Sequence, residues 1–412
     1  MMALSTATIG DIFSPRERGR WMGLVMGVFG VASIIGPTLG GTITDNFGWR
    51  WVFFVTLPLG ILAWLIAGIV LPRVHTGRHH SVDYAGSLWL VAGLVALLLG
   101  VTWGGTTYAW RSWQELVLFG VGGLLLVVFV FAERRAEEPV MSPELFRNRV
   151  FAFSVVISFC VGLAMFGSLT FIPLFVQGVV GKSAQNSGVI LTPMMLSYVA
   201  AAAVGGWLIS KTGRYKGQGV VGMSLAVGGL VLFAGLTPST TSGEVVRDMV
   251  VLGVGIGIVM PILSIAVQSA FPHSMLGTVN AGRQFFVNLG SAIGVPVMTA
   301  VIVNTFHSEL PSHVPAAARP VIAGAEIDPL TSDSQAALQA RFAHLGPGGR
   351  ALYAGFVHGV RSALCDGIVD VFVLAVGFGV VALLFAAVFP VIKLTQWDEA
   401  SSAPGGEPVE SP

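Results

Sequence analysis

Charge is what this sequence has least of. Among 412 residues there are 22 Lys and Arg and 21 Asp and Glu, whereas a soluble domain carries charge at about 25% of its positions. That scarcity excludes a water-soluble fold. A net charge of +1 without any long basic run excludes nucleic acid as a partner, because neutralising phosphates takes clustered Lys and Arg. Cys160 and Cys365, the two cysteines, lie roughly 200 residues apart in or near apolar stretches, and neither a disulfide framework nor a metal site is expected from them. A phosphate-cradling G-x-x-x-x-G-K-S/T is missing too, so direct ATP drive has no support. No acid, base and nucleophile converge at one membrane depth, which argues against an enzyme, and no cofactor is expected.

What the chain has is apolar length. Hydrophobic residues make up 54% of it, in runs of about 20, enough to cross a hydrocarbon core of roughly 30 Å at 1.5 Å per residue. Ten such runs span 21–44, 50–71, 84–103, 115–132, 151–176, 187–209, 219–236, 248–270, 282–304 and 366–392. Several contain Gly and Pro. In lipid every backbone donor must be satisfied within its own segment, so these runs stay helical and Gly or Pro mark kinks and close contacts. The expected fold is an all-α polytopic membrane protein with about ten complete transmembrane helices, and the bilayer is its first partner.

Orientation follows from the cations, since short loops rich in Lys and Arg stay in the cytoplasm. One alternating set of loops holds fourteen: Arg16, Arg18, Arg20, Arg73, Arg78, Arg134, Arg135, Arg147, Arg149, Lys211, Arg214, Lys216, Arg283 and Lys393. The opposite short loops hold Arg50, Arg111, Lys182 and Arg247. A long segment over 305–365 is thereby placed outside, and the polar tail 395–412 inside, where its composition predicts disorder. Trp21, Trp49, Trp51, Trp103, Trp110 and Trp113 fall at the ends of the spans, as interfacial anchors do. Residues 1–10, MMALSTATIG, reach only about 15 Å as a helix and read as the inner end of a span whose outer part is missing, through truncation or a misplaced start codon.

In the first full span, Ala32, Gly36 and Gly40 share one face at i, i+4, i+8, along which another helix can approach closely. With Gly23, Pro37 and Gly41 they form a string that resembles the antiporter motif of the major facilitator superfamily, G-x8-G-x3-G-P-x2-G-G, with Ala32 where glycine is usual. WRWVFFVTLPLG (Trp49 to Gly60) looks like the next helix in the fourteen-helix drug:proton antiporter branch. GGWLISKTGRYKG (Gly205 to Gly217) is similar to the family's cytoplasmic loop motif G-x-x-x-D-R/K-x-G-R-R/K: Gly206, Lys211, Gly213, Arg214 and the nearby Lys216 survive, and Ser210 replaces the acid. The strings LFRNRVF near 145, LGVGIGIVMPILSIAVQ near 252 and LGTVNAGRQFFVNLGSAIGV near 276 look like the same branch.

The resemblance implies a two-bundle architecture. Residues 1–72 would be the remnant of an N-terminal helical bundle, 73–135 two linker helices, and 136–394 a six-helix C-terminal bundle. It also implies secondary active export of small amphipathic, drug-like compounds in exchange for protons across the plasma (inner) membrane, with the C-terminus cytoplasmic. Two alternatives stay open: a non-transporting truncated paralogue or assembly partner, and an exporter of another solute class such as a siderophore, peptide or amino acid.

The remaining candidates each carry a plain reading beside the functional one. Asp366 and Asp370 share a helical face and read either as carboxylates at the outer interface near a helix N-terminus or as proton-handling groups. Gln177, Gln268, Gln284 and Asn288 read as interhelical hydrogen bonding, or as lining a central cavity with Met165, Phe166, Phe171, Met194 and Met195, whose thioethers and rings suit varied apolar ligands. Lys211, Arg214 and Lys216 read as topology determinants or, by resemblance, as part of the loop motif. Asp45, Asp83 and Asp248 fall at span ends and read as boundary residues or as gating groups. His75, His79 and His80 lack the Cys or acidic partner that a metal site needs.

Overall fold

The computed structural model describes residues 28, 32, 35, 36, 39–70, 83–105, 107–136, 141–182, 184–212, 215–272, 275–322, 338, 339, 341, 342, 344 and 347–390. Among the described residues nine helices are long and apolar enough to cross a membrane. They are α1 (Arg50–Val70), α2 (Tyr84–Trp103), α3 (Trp113–Glu133), α4 (Arg149–Gly178), α5 (Ala184–Thr212), α6 (Lys216–Ala234), α7 (Ser242–Ser269), α8 (Leu276–His313) and α9 (Pro347–Ala387). Most of the tenth expected span, 21–44, lies outside the described residues, although 39–47 is helical. Pro58, Pro173, Pro193, Pro261 and Pro296 all sit inside helices, as a medium without water allows.

Side-chain caps set several helix starts. Thr241 and Glu244 form a capping box at the head of α7, which explains why that helix begins six residues before the expected 248. Asn148 caps α4 by accepting from Val150 N at 2.9 Å, and Asp83 caps α2 by accepting from Gly86 N at 2.8 Å. Asp83 is therefore a boundary residue in the literal sense.

Six helices close a ring in the spatial order α5, α7, α6, α9, α8, α4. Glycine determines how near they come. The run LGVGIGI puts Gly253 and Gly257 on one face of α7, against the Met194 and Tyr198 carbonyl oxygens of α5, and Gly255 on the other, against Ala226 of α6. In the same way Gly162 of α4 meets the Val287 carbonyl of α8, and Gly290 of α8 meets the Phe159 carbonyl of α4. Backbones this close leave no room for a Cβ. Aromatic residues fill the wider gaps, with Phe233 of α6 stacked on Phe372 of α9 at 4.8 Å.

Outside the ring, α2 and α3 form a hairpin that touches α8 through α2. The buried residues of α2 are Gly86, Gly93 and Gly100, and those of α3 include Glu115, Gly122 and Phe129. Both sets repeat every seven residues, the period of a left-handed pair seam. Helix α1 buries none of its residues.

The loop expected over 305–365 is shorter than the hydropathy implied. Helix α8 runs on to His313 and α9 begins at Pro347, so both helices project past the lipid-length stretch as polar helical extensions. Asp366 and Asp370 consequently lie in the middle of α9 and not near its N-terminus.

The glycine seams make a direct prediction. Gly162→Ala and Gly290→Ala should each lower the stability of the purified protein by about 1–3 kcal/mol, because the new methyl meets backbone that cannot yield. Gly228→Ala in α6, where nothing lies within 4 Å of a Cβ, should leave it unchanged. Thermal unfolding followed by circular dichroism in detergent separates the two outcomes.

Candidate functional site

Polar side chains in a membrane bundle are costly unless they are paired or face water; among the described residues buried ones lie on α3, α4, α7, α8 and α9, and α8 carries further polar groups near both of its ends. Towards its C-terminal end, Thr305 Oγ1 donates to Asp370 Oδ2 of α9 at 2.8 Å, and His313 Nε2 lies 2.7 Å from Asp366 Oδ2. The two aspartates, one turn apart on α9, thus meet two groups of α8 and form a polar ladder between the helices. The His313 and Asp366 side chains are 36% and 45% exposed, so the ladder opens to its surroundings. His313 had no signal in the sequence: it lay beyond the apolar run, in what hydropathy made a loop.

Towards the N-terminal end of α8, Asn280, Gln284 and Asn288 follow at helical spacing. Gln284 Nε2 donates to Asn288 Oδ1 at 3.3 Å, within the helix and not between helices. Beside them is Arg283, and here the sequence reading is corrected. Arg283 counted as a loop cation, but the turn before α8 is short. The residue sits seven positions beyond Leu276, about 10 Å along the axis, and is only 7% exposed. Its removal from the loop set leaves the basic asymmetry in place.

The cavity candidates divide. Met165, Phe171, Met194 and Met195 are core residues, Met194 at 1% exposure, and their packing fills the ring instead of lining open space. Phe166 and Asn288 are exposed, and Gln177, Gln268 and Gln284 half-buried. Of the loop motif, Gly206, Lys211 and Lys216 are described and Gly213 and Arg214 are not. The Lys211 ammonium stands over the Trp207 ring at 5.0 Å. The neighbouring Tyr215, which sequence reasoning passed over, is buried and donates its hydroxyl to the Pro390 carbonyl at 2.9 Å, tying the α5–α6 turn to the end of α9.

Of the antiporter motif, Ala32, Gly36, Gly40 and Gly41 are described, while Gly23 and Pro37 lie outside the described residues. Nothing comes within 4 Å of a Cβ at Gly36 or Gly40, so among the described residues no helix packs on that face. His75, His79 and His80 also lie outside them. Asp248 is buried and paired with its exposed neighbour Arg247 at 2.8 Å. Two further acids escaped the sequence reading. Glu115 and Glu133 of α3 are 0% and 2% exposed, set against Gly100 and Gly86 of α2; the seven-residue glycine repeat was the signal that could have found them.

Nine lipid-length helices among the described residues and a glycine-sealed ring define a multi-pass α-helical membrane protein. The chain belongs to the Major Facilitator Superfamily, whose family model matches residues 1–295. It is 40% identical over 306 residues to the multidrug transporter protein MdtP of Bacillus subtilis (strain 168), covering 73% of this chain and 56% of that one. It is 32% identical over 310 residues to multidrug resistance protein 3 of the same organism, covering 75% and 60%. The efflux pump FUS6 of Gibberella fujikuroi is 32% identical over 323 residues, covering 76% and 58%. The chain therefore spans little more than half the length of these curated relatives.

The exposed ladder should contribute little to stability. Asp366→Asn and His313→Gln should each cost less than about 1 kcal/mol, as half-exposed ion pairs do. A double-mutant cycle on thermal unfolding checks this: a coupling energy within that limit is expected, and a larger one would show a locked contact.

Proposed function

We propose that this chain acts as a secondary active exporter of small amphipathic organic compounds, driven by protons flowing the other way, in the plasma (inner) membrane with its C-terminus in the cytoplasm. The observation that carries the proposal is the polar face of α8 within an apolar ring, in a chain whose relatives include multidrug transporters and an efflux pump. In this reading 136–394 is the transport bundle, 73–135 the linker pair and 1–72 part of a second bundle.

The chemistry divides along α8. Asp366 and Asp370 are the proton-handling groups, and His313 and Thr305 of α8 are their hydrogen-bond partners. Gln284 and Asn288, with Phe166, Gln177 and Gln268, offer hydrogen bonds and an aromatic face to a passing solute, and the packed Met165, Phe171, Met194 and Met195 give the wall behind them its compliance. The loop motif of Gly206, Lys211, Gly213, Arg214 and Lys216 is assigned to the cytoplasmic side. The small face of Ala32, Gly36, Gly40 and Gly41, with Gly23 and Pro37, seals one side of the path during rocking of the bundles.

Everted vesicles containing the chain test this. An imposed proton gradient should drive accumulation of dyes from an amphipathic panel, a protonophore should abolish it, and Asp366→Asn with Asp370→Asn should reduce it at least tenfold. Accumulation indifferent to the gradient would overturn proton coupling. The bare apolar surface of α1 favours a second reading, in which the chain is a non-transporting assembly partner of another membrane subunit. Complete absence of flux from folded protein, for dyes and for siderophore, peptide and amino acid probes alike, would select it.

A further inference from the structure

Arg283 is charged, buried and poorly paired. Its Nη1 reaches a thioether, Met260 Sδ of α7, at 3.6 Å, and its Nε has no hydrogen-bond partner. Among the described residues no carboxylate pairs with it; the ionisable side chain in electrostatic reach is the phenol of Tyr198 on α5. One turn earlier on α8, Asn280 Oδ1 is also buried without a partner. The guanidinium of α8 thus has a thioether of α7 as its hydrogen-bond acceptor and the Tyr198 phenol of α5 within electrostatic reach.

A buried cation in this condition is expensive. Desolvation costs several kcal/mol unless an opposite charge with good geometry offsets it, and an ionisable group inside a membrane bundle points to a functional partner. The planar fork of arginine matches a carboxylate, which can accept two parallel hydrogen bonds from it. A cationic solute is excluded by like charge, and a neutral one leaves the charge uncompensated.

We propose that Arg283, with Tyr198 and Asn280, forms a recognition site for the carboxylate of an amphipathic organic acid. The guanidinium takes the carboxylate, the phenol and amide add hydrogen bonds at its edge, and the Met260 thioether meets the apolar body. This assignment rests on the efflux reading above and narrows its substrate class to include organic anions.

Three probes of one shape test it: 4-phenylbutyrate, ionised at neutral pH, 4-phenylbutanol and 4-phenylbutylamine, titrated calorimetrically into the purified full chain in nanodiscs of zwitterionic lipid. The carboxylate should bind at least tenfold more tightly than the alcohol or the amine. Arg283→Gln should bring that ratio close to one, and Arg283→Lys, which keeps charge but loses the fork, should leave an intermediate value. Size-exclusion profile and helical circular dichroism establish that the variants fold. If Arg283→Gln does not, Tyr198→Phe and Asn280→Ala carry the test and should each cut the ratio two- to fivefold. A wild-type ratio near one, or a ratio unchanged in the folded variants, overturns the site. Vesicles that export the alcohol and the amine while the binding ratio stays near one would sink this inference alone; a carboxylate preference without any export would sink the efflux reading instead.

Discussion

A hydrocarbon core offers no hydrogen-bond partner, and the rest of this structure depends on that constraint. Each backbone N–H and C=O must be satisfied inside its own segment, so helix persists through prolines and glycines that would end it in water. Burial from water also ceases to favour one helix surface over another, because lipid is as apolar as the side chains. Close backbone approach takes over as the source of cohesion. Glycines 253, 255 and 257 let α7 sit between α5 and α6, and Gly162 and Gly290 bring α4 and α8 together at two levels. The α2–α3 hairpin uses the same device with a seven-residue period.

Against that background polar side chains stand out by cost. Among the described residues they include Glu115 and Glu133 on α3 and Asp248 on α7, and α8 carries a half-exposed ladder to α9 near one end and a buried guanidinium near the other. In the proposed reading one helix contacts the candidate proton-handling aspartates and carries the candidate anion-selecting arginine.

The spans themselves were legible because apolar run length and loop arginines are one-dimensional signals with a direct physical meaning. What lay beyond them was not. The extensions of α8 through HSELPSH and of α9 from PGGRALY are polar enough to read as loop, since a helix that leaves the bilayer no longer needs apolar residues. This hid His313 and put Asp366 and Asp370 too near the start of their helix. Arg283 looked like one more loop cation because a single arginine seven residues into a helix does not disturb a hydropathy average. The Met and Phe candidates could not be sorted between wall and core by sequence, since either site takes the same residue types, and only the ring order of the helices puts Met194 inside.

The central claim is that the chain threads the membrane alternately with its basic turns on one side. Single cysteines at Ser112, Ala136, Lys182, Thr212, Ser239 and Pro272, in a background lacking Cys160 and Cys365, can be probed with a membrane-impermeant maleimide in intact and permeabilised cells. The account predicts labelling of 112, 182 and 239 in intact cells, and of 136, 212 and 272 only after permeabilisation. Two consecutive positions in this series labelled from the same side would contradict it.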